Sequence, residues 1–195
     1  MSTGGRIGGG GLLALFALGA AGGLIGDMCH VVSGTTVYLE DPLPYVWRSQ
    51  LWFPLMVGGG TAALGWIRVR FGPPAEGAGA GIGEVVSMVA AVVGLYALTA
   101  LVRGEPGEVA VVIVLAAAAL ICARFARSGF DLLCGVLAAI VGMTTEAVMA
   151  AVGAFEYASD VPQVAGAATW LLGLYMAYGV VVARLGLALA ERMGR

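Results

Sequence analysis

The chain has 195 residues, of which 60% are apolar and only 11% charged, with a formal net charge of −2. A soluble domain carries about 25% charged residues, so a water-soluble globule is excluded, and the acidic balance leaves no basic footprint for nucleic acid. A single His excludes a multi-His metal centre, and no cofactor is expected.

Six apolar stretches follow one another at 11–30, 46–67, 84–102, 107–125, 131–153 and 164–188. At about 1.5 Å rise per residue, some twenty residues cross a hydrocarbon core of about 30 Å. The spacing predicts an all-α membrane protein: one domain over 1–195, a six-transmembrane-helix bundle. The first stretch follows Arg6 and holds Gly19/Gly23 and Gly22/Gly26, a G-x-x-x-G spacing that suits close helix packing. Its start resembles a signal peptide, but it runs on through Ile25 to Val32, too long for an h-region. The second holds Pro54 and the run Gly58-Gly59-Gly60 near its middle. Bare backbone at that depth is tolerated only where another helix or a cavity covers it, and both readings stand. The linker 72–81 is rich in Pro and Gly and cannot be helical. The loop 31–45 holds Pro42 and Pro44 and suits the outer interface. The third loop is short, so the third and fourth helices pair as a hairpin. Cys29, Cys122 and Cys134 are odd in number and widely spaced. They read as small core residues rather than a disulfide or metal framework.

Arginine placement orients the bundle. All ten basic residues are Arg, a bias that fits a GC-rich bacterial genome. Arg6, Arg68, Arg70, Arg124, Arg127, Arg184, Arg192 and Arg195 share one side; Arg48 and Arg103 lie on the other, with Glu40, Asp41, Glu105, Glu108, Glu156 and Asp160. Eight against two places both termini in the cytoplasm, in a bacterial inner (plasma) membrane.

Ionisable groups at membrane depth are functional candidates by default. Asp27 and His30 share a helix face, Arg48 opens the second helix, and Glu146 lies in the outer half of the fifth beside Thr144 and Thr145. The topology puts all four at one level. Three readings fit: an ion pair of Asp27 with Arg48 tying two helices, a polar collar around a ligand head group, or a proton relay. Tyr157 and Trp170 belong to an outer aromatic set that suits an interfacial belt or the rim of a cavity. No G-x-S-x-G, H-E-x-x-H, P-loop or Rossmann fingerprint occurs, so no enzyme is expected.

The second half of the chain resembles the Insig family of eukaryotic sterol regulation. Phe125-Ala126-Arg127-Ser128-Gly129 is similar to that family's F-D-R-S…G turn. Gly153-Ala154-Phe155-Glu156-Tyr157-Ala158-Ser159-Asp160 resembles its G-V-Y-Q-Y-T-S-P-D. In the last stretch, Thr169-Trp170-Leu171 matches S-W-L, and Gly179-Val180-Val181-Val182-Ala183-Arg184-Leu185-Gly186 follows G-V-T-V-G-N-I-G. Pro54 and Gly60-Thr61-Ala62-Ala63 are similar to a P-P-C-C-G-T-A-A-A run. The resemblance implies a membrane protein that binds a lipid rather than transforming it; eukaryotic Insigs bind oxysterols and retain Scap. Ala126 replaces the acidic residue of F-D-R-S, Arg184 aligns with the family's Asn, and Leu187 with its following Arg. A Scap-type partner is therefore not expected.

The function expected is non-catalytic binding of a neutral lipid, diacylglycerol or sterol-like, in a cavity between helices. Asp27, His30, Arg48 and Glu146 would form the collar, Gly58, Gly59 and Gly60 would shape the cavity, and Tyr157 and Trp170 would line its rim. The alternatives are a proton-linked transporter or channel using Asp27, His30 and Glu146, and an enzyme acting on lipid head groups. The small-residue faces permit a homo-oligomer.

Overall fold

The computed structural model describes residues 7–39, 44–74 and 80–193. Arg6, Glu40, Asp41, Pro42, Arg195 and the centre of the 72–81 linker lie outside the described residues. Six long helices appear: α1 Gly9–Ser33, α2 Trp52–Phe71, α3 Ile82–Leu101, α4 Gly107–Phe125, α5 Gly129–Ala151 and α6 Leu171–Met193. Five are long and apolar enough to cross a membrane. The helix outside that set is α2, which carries Gly58, Gly59 and Gly60 together with Arg68 and Arg70. It nevertheless runs through the three glycines without a break.

The predicted second and sixth stretches begin too early. Residues 164–170 are largely apolar and 46–51 mix Val46, Trp47 and Leu51 with Arg48, Ser49 and Gln50, but two tight antiparallel hairpins occupy them: β2 Tyr45–Val46 with β3 Ser49–Gln50, and β5 Gln163–Val164 with β6 Ala167–Ala168. Both turns use left-handed backbone, at Trp47 (φ 57°) in the first and at Ala165 (φ 52°) and Gly166 (φ 82°) in the second. A helix cannot pass through such residues. A third pair, β1 Thr36–Tyr38 with β4 Phe155–Tyr157, ties the α1–α2 connection to the α5–α6 connection. Gly34 at φ 69° ends α1, donating its N–H to the His30 and Val31 carbonyls. All six strands lie at one end of the bundle.

The last helix is the axle. Seventy-two per cent of the α6 span is buried, against 22–28% for the other four spans. Helices α1 to α5 pack around it, and α1–α2 and α5–α6 form the two closest pairs. The G-x-x-x-G reading holds for Gly19 and Gly23: a methyl at Gly19 would overlap the Thr61 hydroxyl, and one at Gly23 would stand 3.0 Å from Val57 Cβ. Glycine here lets α1 lie directly on α2.

At the end away from the strands, Ser128 caps α5. Its Oγ accepts from the Asp131 N–H at 3.2 Å, and Asp131 Oδ2 accepts from the Ser128 N–H at 3.0 Å. The second oxygen of Asp131 accepts from Arg68 Nε at 2.7 Å, and Arg68 also donates to the Pro73 carbonyl at 2.8 Å. Both side chains are buried, at 2% and 0% exposure. This pair staples α2 to α5.

Candidate functional site

Between the α1–α2 pair and helices α3, α5 and α6 lies a cavity of about 390 Å³. Gly19 and Gly23 of α1 line it, with Val57, Gly60, Thr61 and Leu64 of α2, Tyr96 of α3, Val141 and Thr145 of α5, and Tyr175, Tyr178 and Val182 of α6. No charged side chain lines it among the described residues; its polar groups are the hydroxyls of Thr61, Tyr96, Thr145, Tyr175 and Tyr178. An apolar wall with a few placed polar groups is the usual chemistry of a small-molecule site.

The three glycines divide their roles. Gly58 faces α1, where a methyl would stand 2.8 Å from the Phe16 carbonyl oxygen, so this part of the notch is filled by a helix. Gly60 lines the cavity, its open side 3.9 Å from the Tyr178 hydroxyl. Gly59 meets nothing and lines nothing, so it does not shape the cavity.

The ionisable residues lie at the strand end of the cavity and outside its lining, Asp27 one turn past Gly23 on α1 and Glu146 directly after Thr145 on α5. Asp27 is buried, and its Oδ2 accepts from Tyr38 Oη at 2.6 Å and from Ser49 Oγ. Burial, with the Asp27 carboxylate beside it, pushes the Tyr38 hydroxyl above its ordinary range, so it stays a donor. Glu146 is buried between two phenols, accepting from Tyr157 at 2.9 Å and from Tyr175 at 2.6 Å. Tyr157, on β4, is likewise pushed well above its usual value by burial first and Glu146 second. The His30 ring packs at a tilt on Tyr96 (4.7 Å between centroids) and edge to face on Trp170 (5.1 Å). Its Nε2 lies 2.6 Å from Thr99 Oγ1. The Thr99 hydroxyl already donates to the Tyr96 carbonyl, so Nε2 supplies the hydrogen.

Arg48 is corrected. It sits exposed in the β2–β3 turn, and Asp27 is satisfied by Tyr38 and Ser49 instead. The turn carries the guanidinium to water, where its charge costs least. Asp27, His30 and Glu146 thus each hold separate partners, and none lines the cavity. Tyr157 and Trp170 do not line it either: both are buried in the cluster around Phe155 and Leu174. Of the nine expected residues, Gly60 alone is in the wall. Sequence reasoning missed Thr61, Tyr175 and Tyr178; a phenol every turn on the one helix that packs on all sides was the available signal. Asp131 was missed too, although S-x-x-D before an apolar run signals a capping box.

No family model matches the chain. It is 44% identical over 181 residues to an INSIG protein homolog of Mycolicibacterium vanbaalenii, spanning 92% of this chain and 87% of that protein. The chain belongs to the Insig family. Its fold superposes on the crystal structure of the mycobacterial Insig homolog MvINS from Mycobacterium vanbaalenii with a TM-score of 0.90, at 41% identity, over 96% of this chain and 98% of that one. A cross-linked MvINS trimer carrying an arginine-to-cysteine replacement matches equally, with a TM-score of 0.90 and 40% identity. As an Insig homologue with five apolar spans, this is an integral membrane protein with a helical-bundle fold.

Proposed function

We propose that this Insig homologue binds a neutral lipid, diacylglycerol or sterol-like, in the cavity between its helices and does not transform it. The observation that carries the reading is the wall itself: apolar side chains interrupted by five hydroxyls, with no cation among the described residues that line it to meet a phosphate. Apolar burial supplies the affinity and hydroxyls the orientation. Asp27, His30 and Glu146 act one layer away, fixing the elements that cap the cavity rather than touching the guest. Six spans within a single domain, both termini in the cytoplasm and a bacterial plasma membrane complete the reading, supported by the arginine distribution. The cross-linked trimer of the mycobacterial homologue supports a homo-oligomer.

Lipid extraction from the purified protein tests this. A stoichiometric, selected neutral lipid is expected; membrane lipids in their bulk proportions would overturn it. Gly60→Leu is expected to lower lipid occupancy at least tenfold by pressing toward Tyr178, while Gly59→Leu leaves it unchanged. pH-driven flux in proteoliposomes, lost on Glu146→Gln, would instead support the transporter.

A further inference from the structure

Hydrogen-bond direction inside the cavity identifies which face of a guest's polar group is recognised. A hydroxyl has one hydrogen to give and two lone pairs to receive. Thr61 spends its hydrogen on the Val57 carbonyl one turn back, at 2.7 Å. Thr61 Oγ1 and Tyr178 Oη lie 2.8 Å apart, and with the threonine hydrogen committed, Tyr178 is the donor between them. Tyr175, three residues earlier on α6, gives its hydrogen to Glu146 Oε1 at 2.6 Å. The two rings stand 6.5 Å apart, and both residues line the cavity. The α6 side of the wall therefore presents two phenol oxygens whose hydrogens already point elsewhere. To a guest they offer lone pairs only.

We propose that the guest is held by donating its own hydroxyl hydrogen to Tyr178, with Tyr175 as the adjoining acceptor, so that the cavity selects neutral lipids with a free hydroxyl over those whose hydroxyl is esterified or etherified. This inference rests on the lipid-site reading above and adds the polarity of the contact. The Thr61 hydroxyl is the positioning group: it orients Tyr178 without meeting the guest's oxygen. The remaining wall hydroxyls, Tyr96 on α3 and Thr145 on α5, do not lie on this face. They leave room for ester carbonyls elsewhere in the cavity. An unpaired lone pair against an ether methyl or an ester group costs the contact outright.

The test uses the full chain in phosphatidylcholine nanodiscs, competing a fluorescent diacylglycerol with three probes: 1,2-dioleoylglycerol, its 3-deoxy analogue and its 3-O-methyl ether. The alcohol is expected to bind at least tenfold more tightly than either analogue. Tyr178→Phe brings the three within about threefold of one another. Thr61→Val is the sharper variant. It keeps the side-chain shape and frees the Tyr178 hydrogen, so the ether, which still carries an acceptor oxygen, recovers to near the alcohol while the deoxy analogue does not. A wild-type protein that binds ether and alcohol alike overturns the proposal and leaves the lipid-site reading standing. A tenfold gap that persists unchanged in Thr61→Val overturns it as well. Failure of all three probes to compete, with no fluorescent lipid bound, removes the lipid-site reading and the proposal together. Should Tyr178→Phe not fold, the wild-type comparison and Thr61→Val still decide.

Discussion

Asp131 and Glu146 stand near opposite ends of the same helix, and each is almost fully buried. Asp131 faces a guanidinium and two backbone N–H groups. Glu146 faces two phenols, as Asp27 on α1 faces a phenol and a serine. The first arrangement compensates charge with charge and bolts α2 to α5. The second uses neutral donors that come from the strands and from the cavity wall. A guanidinium removed from Asp131 leaves a buried ion with no opposite charge. A hydroxyl removed from Glu146 leaves another hydroxyl in place. The end with the ion pair is therefore the rigid one, and the hydroxyl-bound end is the one with freedom to adjust.

Thermal unfolding of purified variants would break or sharpen that contrast. Arg68→Ala strands Asp131 and is expected to cost about 3–5 kcal/mol, whereas Arg68→Met with Asp131→Asn, which removes both charges and keeps an acceptor for the Arg127 and Ser128 N–H groups, should recover most of that loss. If the single and double variants unfold together, the staple is not electrostatic. Tyr157→Phe removes one of the two hydroxyls on Glu146 and should cost about 0.5–1.5 kcal/mol, the net worth of a typical hydrogen bond. A loss as large as that of Arg68→Ala would erase the difference between the two ends. The smallest effect belongs to the exposed pair of Arg103 with Asp160 at the strand end. The Arg103 guanidinium holds the Asp160 carboxyl below its ordinary value. Its contribution is present above the ordinary carboxylate pKa and is lost as pH falls through the depressed one. Arg103→Ala should flatten the stability profile only on that acid limb, and salt should mask even this.

Hydropathy made the helices legible because twenty apolar residues have few other destinations, and α4 falls at 107–125 as expected. It could not place the start of α6, since the apolar β5–β6 hairpin and a helical turn share composition; before α2 the polar run Arg48-Ser49-Gln50 marked the break, while the left-handed residues Trp47 and Ala165 carry no mark in the sequence. That Asp27, His30 and Glu146 lie toward the strand ends of their helices was readable from position along each helix. Their partners were not: Tyr38, Ser49, Thr99 and Tyr175 are joined to them by packing across the bundle. Arg48 misled because charge and depth alone favour a pair with Asp27, while the turn that carries it outward is a backbone property. Tyr175 and Tyr178 look like ordinary core aromatics until the empty space beside them is seen.

Because α6 is the element against which every other helix rests, yet follows all of them along the chain, the first five helices are synthesised before their common support exists. Among those five, α1 with α2 is the closely fitted pair. The cavity, whose wall includes Tyr175 and Tyr178 of α6, therefore cannot be complete until the last helix of the chain is in place.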